Sequence, residues 1–242
     1  MKKILLDVDP GIDDCLAIML ALNSPELDIV GITTVSGNVI AEQGAMNAGR
    51  ILEFYNRSDI PIHIGQSKPM VIDLVTAQDT HGEDGMGELF LPEPKIEVQK
   101  NGVDFILDSL YKYAGELSII AVGPLTNIAM GLQKDRAAFD NLNELIVMGG
   151  SAKSHGNCSP VAEFNFWADP HGADHVFKCL DNITMVGLDV TREIVLTPNH
   201  RELLYQFATP AAQLVNRMTR FYVDFHWKQE RTLGCVINNL LR

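Results

Sequence analysis

Basic residues are scarce in this chain of 242: 19 Lys and Arg stand against 31 Asp and Glu, a formal charge of -12. A phosphate backbone or an anionic membrane is recognised through a basic stripe, so this balance excludes nucleic acid and acidic lipid as partners. Cysteine is scarce too. The four, Cys15, Cys158, Cys179 and Cys235, lie far apart with no CxxC pair, which argues against cysteine-held zinc; three sit in apolar or helix-like contexts that suit reduced, buried thiols. No apolar run reaches transmembrane length, and the run after Met1-Lys2-Lys3 is too short for a secretory signal. A cytoplasmic protein is expected. Repeats, low-complexity tracts and linkers are also missing. With 46% hydrophobic residues, a chain of this length buries roughly 70 to 75% of its unfolded surface, and one domain over residues 1–242 is expected.

Short runs rich in Val and Ile alternate with segments of helical period. Ile4 to Val8 precedes Asp13 to Leu22, and Leu27 to Val35 precedes Ala41 to Tyr55. The alternation continues through a strand at Ile60 to Ile64, a helix at Val103 to Tyr113, a strand at Ser118 to Val122, and a helix from Thr126. A strand at Glu144 to Met148, a helix from Asp169, a strand at Ile183 to Leu188 and a helix at Ala211 to Lys228 follow. This is the pattern of an α/β fold: an open, mostly parallel sheet with helices on both faces and its ligand site beyond the carboxyl ends of the strands. Two loops, Gly65 to Gln99 and Ser151 to Ala168, are longer than a compact domain needs and hold His, Asn and Glu, which points to function.

Four predicted strand ends carry polar or glycine-rich sequence: Asp7-Val-Asp-Pro-Gly-Ile-Asp-Asp14, Thr33-Thr-Val-Ser-Gly-Asn38, Val122-Gly-Pro-Leu-Thr-Asn127 and Met148-Gly-Gly150. Asp7, Asp9, Asp13 and Asp14 fall at one strand-to-helix turn, where like charges repel. A hard cation shared by Asp9 and Asp14 removes the conflict. A plainer account makes Asp13 the helix N-cap and Asp14 a first-turn residue, with Asp7 and Asp9 ending a strand. A third, the aspartyl-nucleophile phosphatase pattern with Asp7 as nucleophile, is weakened by Pro10-Gly11 where a small hydroxyl or β-branched residue belongs.

The opening motif resembles the metal-binding start of the nucleoside hydrolases, and further matches follow in that family's order: Val35-Ser-Gly-Asn38, His81-Gly-Glu-Asp-Gly85, Gly123-Pro-Leu-Thr-Asn127, Met148-Gly-Gly150, Gly156-Asn157, Ala162-Glu-Phe-Asn165 and Gly234-Cys-Val-Ile-Asn238. The resemblance implies hydrolysis of the N-glycosidic bond of a ribonucleoside by a metal-activated water, with Ca²⁺ as cofactor. It makes Asp9 both ligand and general base, Asp14 a bidentate ligand, and the carbonyl of Thr126 a further ligand. Asp13, Asn38, Asn157, Glu163 and Asn165 would hold the ribose hydroxyls, with Met148 against the sugar and His81 near sugar or base. A rim of carboxylates and amides suits three hydroxyls, each both donor and acceptor. The helix at Ala211 to Lys228 overhangs the base in the family, which makes His226 the candidate for protonating the leaving group. The resemblance also implies a homodimer or homotetramer.

Each polar residue has a plainer reading beside this one. Asn38, Asn157 and Asn165 suit turns, His81 suits a solvated loop, and Met148 suits a core. Met218, Phe221, Tyr222 and Phe225 follow helical spacing that reads as packing. The chain also departs from the family: Asn238 and Asn239 stand where His or Asn and then a ligating Asp are usual, and Leu240-Leu241-Arg242 closes a sequence that in relatives continues. A truncated chain is therefore expected, with apolar surface left uncovered and Asn239 a weaker ligand. The competing function is a ribose- or nucleoside-binding remnant that hydrolyses poorly. Purine or pyrimidine preference is not legible.

Overall fold

The computed structural model describes residues 1–239. The closing Leu240-Leu241-Arg242, on which the expectation of a missing segment turns, lies outside the described residues. Seven strands form one sheet: β1 (Lys2–Val8), β2 (Leu27–Thr34), β3 (Ile62–Ile64), β4 (Val98–Gln99), β5 (Leu117–Ala121), β6 (Glu144–Met148) and β7 (Ile183–Val186). Their order is β4-β3-β2-β1-β5-β6-β7 and every neighbouring pair is parallel.

Both faces are covered, which is why the central strands read as continuous apolar runs rather than alternating ones. Ile4, Leu6 and Val8 of β1 pack with α1 (Ile12–Leu22), α2 (Ala41–Phe54) and a long helix near the end of the chain, while Leu5 faces the opposite cluster formed with helices α4 (Gly102–Lys112) and α5 (Thr126–Lys134). The remaining helices are α3 (Gln78–His81), α6 (Phe164–Ala168), α7 (Pro170–Cys179), α8 (Leu188–Thr191), α9 (Pro198–Phe207) and α10 (Pro210–Glu230), the last being the long helix. A separate antiparallel pair joins β8 (Val195–Leu196) to β9 (Cys235–Val236). The two long loops are thus less bare than expected: the first contains α3 and the edge strand β4, the second contains α6.

Strand order sets the place for chemistry. From β1 the sheet grows through β2 on one side and through β5 on the other, so the connections part at the carboxyl ends of β1 and β5 and leave a crevice there. Asp9, Gly37 and Gly123 lie just past the ends of three adjacent strands, β1, β2 and β5.

Candidate active site

β1 stops at Val8, and Asp9, Pro10 and Gly11 turn the chain into α1. The cap position falls to Gly11 and not, as the plainer account has it, to Asp13: Asp13 and Asp14 both lie inside the first turn, where free N–H groups favour carboxylates. Asp14 reaches back over the turn. Its Oδ1 accepts from Asp9 N–H at 3.3 Å, and its Oδ2 accepts from Gly11 N–H at 3.2 Å and from the Asn38 side-chain amide at 3.0 Å. Asp9 Oδ2 accepts from the backbone N–H of Asn38 at 2.7 Å. Two glycines leave room for this carboxylate: a Cβ at Gly37 would fall 2.1 Å from Asp9 Oδ2, and one at Gly123 would fall 2.8 Å from Oδ1.

Asp9, Asp13 and Asp14 are all buried. Among the described residues no Lys or Arg pairs with any of them. Burial raises Asp9 and Asp14 well above the usual carboxylate range, and the neighbouring carboxylates add to it; burial also raises Asp13. His81 Nδ1 stands 3.9 Å from Asp13 Oδ1 but supplies no charge. That nitrogen accepts from Ile12 N–H at 3.1 Å, and burial, with His226 nearby, pushes the ring down to about 3. His81 is therefore a neutral imidazole with its proton on Nε2, buried rather than solvated.

The donors suit a hard cation. Asp9 Oδ1 and Asn239 Oδ1 are buried oxygens without a hydrogen-bond partner, as is Asp13 Oδ1. Among the described residues no three His, Cys, Asp or Glu side chains converge as a ligand set, so an ion here would need oxygens of mixed kind. Asp9 and Asp14, with the Thr126 carbonyl and the Asn239 amide that the resemblance names, are such a set, and they are the chemistry calcium takes. Asp7 belongs elsewhere. It shares the Leu5 face of β1, and its Oδ1 accepts from Thr33 Oγ1 at 2.5 Å and Asn127 Nδ2 at 2.7 Å. It is fully buried, lifted by that burial to about 6, and does not line the cavity, which removes it as a phosphatase nucleophile.

Above this floor opens a cavity of about 530 Å³. Asp13, Asn38, His81, Met148, Asn157, Glu163, Asn165, His226 and Asn239 all line it, whereas Asp9, Asp14 and Thr126 lie behind its wall. Asn165 is held by its amide, which donates to the carbonyls of Val122 at 2.7 Å and Met148 at 3.1 Å. Glu163 caps α6 by accepting from Phe166 N–H, and it also takes Gly150 N–H at 3.0 Å. These contacts tie the ends of β5 and β6 to the second long loop. Asn157 sits on the exposed rim. The first long loop is drawn over the site by Ala77 N–H, which donates to the Asn38 carbonyl at 3.0 Å.

Sequence reasoning missed part of the wall. Tyr222 and Phe225 line the cavity although their spacing reads as packing. Tyr222 does both: it is 2% exposed, it lines the cavity beside Asp13, and its ring lies 5.2 Å from that of His81 and 4.6 Å from that of His226. Thr76, Ala77, Phe164, Trp167, Gln229 and Asn238 also contribute. Of these, Phe164 and Asn238 stood inside recognised motifs.

The family model described as inosine-uridine preferring nucleoside hydrolase matches residues 4–241. A probable uridine nucleosidase 2 of Arabidopsis thaliana is 38% identical over 93% of this chain and 71% of that protein. A pyrimidine-specific ribonucleoside hydrolase RihA of Photobacterium profundum is 39% identical over 93% of this chain and 73% of that protein. Among solved structures, a purine-preferring ribonucleoside hydrolase from Gardnerella vaginalis superposes with a TM-score of 0.94 at 35% identity, covering 98% of this chain and 77% of that one.

Proposed function

The chain belongs to the inosine-uridine preferring nucleoside hydrolase family, glycosidases that act on N-glycosyl compounds, and from that premise we propose how its own residues cut a ribonucleoside into ribose and free base. One observation carries the proposal: a wall of Asp13, Asn38, Glu163 and Asn165 faces a cavity of about 530 Å³, and behind it lies a buried pair of carboxylates that no Lys or Arg among the described residues pairs with. Calcium, when bound, supplies the positive charge that makes a water easy to deprotonate near neutral pH.

Asp9 acts as general base. Its Oδ2 accepts from Asn38 N–H, which orients the carboxylate, and its Oδ1 carries no protein hydrogen bond that would compete with the ion or the water. As the glycosidic bond breaks, the ribose gains oxocarbenium character, and the surrounding carboxylates stabilise that charge. Asp13, Asn38, Asn157, Glu163 and Asn165 hold the hydroxyls of the sugar, with Met148 beneath it. His81 donates from Nε2 as a neutral group.

His226 is assigned the leaving base. Its Nδ1 lies 2.9 Å from the Tyr222 carbonyl, which only accepts, so the proton sits on Nδ1 and Nε2 is the atom available to the base. Protonation at Nε2 makes it the acid. A cytoplasmic homodimer or homotetramer is part of the same reading. The binding-remnant alternative is less favoured, because the matching relatives carry enzyme names.

The test is release of reducing sugar from inosine, adenosine, uridine and cytidine, with Ca²⁺ and with a chelator. Chelator-sensitive release from any of the four supports the proposal and names the base preference. Folded protein that binds a nucleoside but releases no sugar supports the remnant.

A further inference from the structure

Backbone groups of the rim loop that precedes Asn157 find their partners on one short helix. The N–H groups of Ala152 and Lys153 donate to Asp189 Oδ2 at 2.7 Å and Oδ1 at 2.8 Å. Arg192 donates through one guanidinium nitrogen to the His155 carbonyl at 2.8 Å and to the Ser154 hydroxyl, and through the other to the Gly156 carbonyl at 3.0 Å. These two residues sit on and just after α8, three positions apart, and grip donors and acceptors of the same loop. Two N–H and two carbonyl groups of the loop are therefore satisfied by two charged side chains in place of a ladder or a helix.

α8 is itself pinned at both ends. Leu188 N–H donates to the Gly150 carbonyl at 3.0 Å, immediately past β6. At its other end Thr191 is fully buried and its hydroxyl donates to Asn238 Oδ1 at 3.0 Å, while Ile237 N–H donates to the Ile194 carbonyl at 2.9 Å. A rigid strand end thus carries a helix whose side chains reach the cavity rim in one direction and the segment beside Asp13 in the other. The guanidinium is suited to the rim because its fixed fork serves successive carbonyls, which a point charge does not.

We propose that Arg192, with Asp189, is a positioning residue for substrate binding: it holds the loop so that Asn157 stands at the cavity mouth, without itself touching substrate. The proposal rests on the nucleoside-binding reading of the cavity. Cys158, next to Asn157 on the same rim, gives a readout independent of turnover. Its side chain is exposed at the rim, but partial burial of the sulfur, with Glu163 and Asp79 beside it, pushes the thiol up to about 11, so the ordered loop keeps the reactive thiolate scarce and a loop released from those carboxylates makes it more abundant. Cys179, part-buried on α7, serves as the internal reference.

The experiment compares Arg192→Ala, Arg192→Lys and Asp189→Asn with the parent chain. It measures kcat and KM on a ribonucleoside the parent cleaves, and iodoacetamide labelling of Cys158 relative to Cys179 by mass spectrometry. Loss of the grip is expected to raise KM about ten-fold in Arg192→Ala with kcat little changed, the pattern of lost ground-state and transition-state binding alike. Labelling of Cys158 should rise several-fold while that of Cys179 stays constant, and Arg192→Lys should recover part of both. An unchanged Cys158 rate in folded Arg192→Ala overturns the proposal, as does a fall in kcat at constant KM. If the parent cleaves no nucleoside, the functional reading fails while the labelling arm still decides whether Arg192 orders the rim.

Discussion

Thr126 Oγ1 donates to Asp169 Oδ2 at 2.6 Å, and the same carboxylate oxygen accepts from Met70 N–H at 3.2 Å. Asp169 Oδ1 meanwhile takes Gly172 N–H at 2.9 Å as the cap of α7. The next residue, Asn127, is gripped from the other side by Asp7. Two fully buried carboxylates that do not line the cavity therefore clamp the first two residues of α5, and with them the carbonyl assigned to calcium.

Thr126→Val removes the hydroxyl and keeps both the carbonyl and the branched shape. Loss of a partner that orients a ligand typically lowers metal affinity about 10- to 100-fold. Titration calorimetry with Ca²⁺ should find a weakening of that size, with turnover recovered at saturating calcium. An unchanged dissociation constant would show that the bond from Thr126 Oγ1 to Asp169 does not orient a calcium ligand.

Gly37→Ala addresses Asp9 directly. The added Cβ would lie 2.1 Å from Asp9 Oδ2, a distance at which the carboxylate must leave its place. Displacing a general base should lower kcat by about 10² or more while the fold persists. Steady-state turnover beside a far-ultraviolet spectrum checks both parts. Wild-type kcat in a folded variant would show that Asp9 need not sit where Asn38 N–H holds it.

How much of this was legible beforehand follows from the range of the contacts. The central strands and the longer helices express local periodicity, and the carboxylate turn and asparagines lie in short motifs. The clamp on Thr126 joins residues 43 and 99 positions apart and leaves no local trace. The edge strand β4 is two residues long, too short for a periodic signal. Tyr222 was hidden for a different reason: a helical apolar stripe marks what is buried, and a cavity wall is buried as a core is. His81 sits among glycines, and only its long-range bond from Ile12 N–H reveals that it is dry.

Calcium should also stabilise the fold. The cluster of Asp9, Asp13 and Asp14 is buried, with no Lys or Arg partner among the described residues, so an ion that binds only the folded chain relieves repulsion as well as adding binding energy. At a free concentration 100 times the dissociation constant the gain is about 2.7 kcal/mol. Thermal unfolding with excess calcium against chelator should separate the two midpoints by several degrees, with magnesium less effective because it demands a tighter octahedral shell. Coincident midpoints would count against a cation at this site.

Glu163 gives the fold a pH dependence of its own. It is 2% exposed, and burial lifts its carboxyl from 4.5 to about 7 against the opposing pull of the Asn165, Gly150 and Phe166 N–H groups. A folded-state value above the unfolded one means that the folded chain keeps a proton the unfolded chain has released. Stability from this group is therefore present below about pH 4.5 and is lost as pH rises towards about 7. The full excursion is on the order of 3 kcal/mol. Asp7, also lifted by burial, slopes the same way, so the parent chain alone does not isolate Glu163. Glu163→Gln keeps an acceptor for the N–H groups and cannot ionise. Urea unfolding of the two chains without calcium should show the variant losing less stability across that interval and equalling or exceeding the parent above neutrality. Parallel slopes would mean that Glu163 is already ionised in the folded chain, held so by its N–H donors.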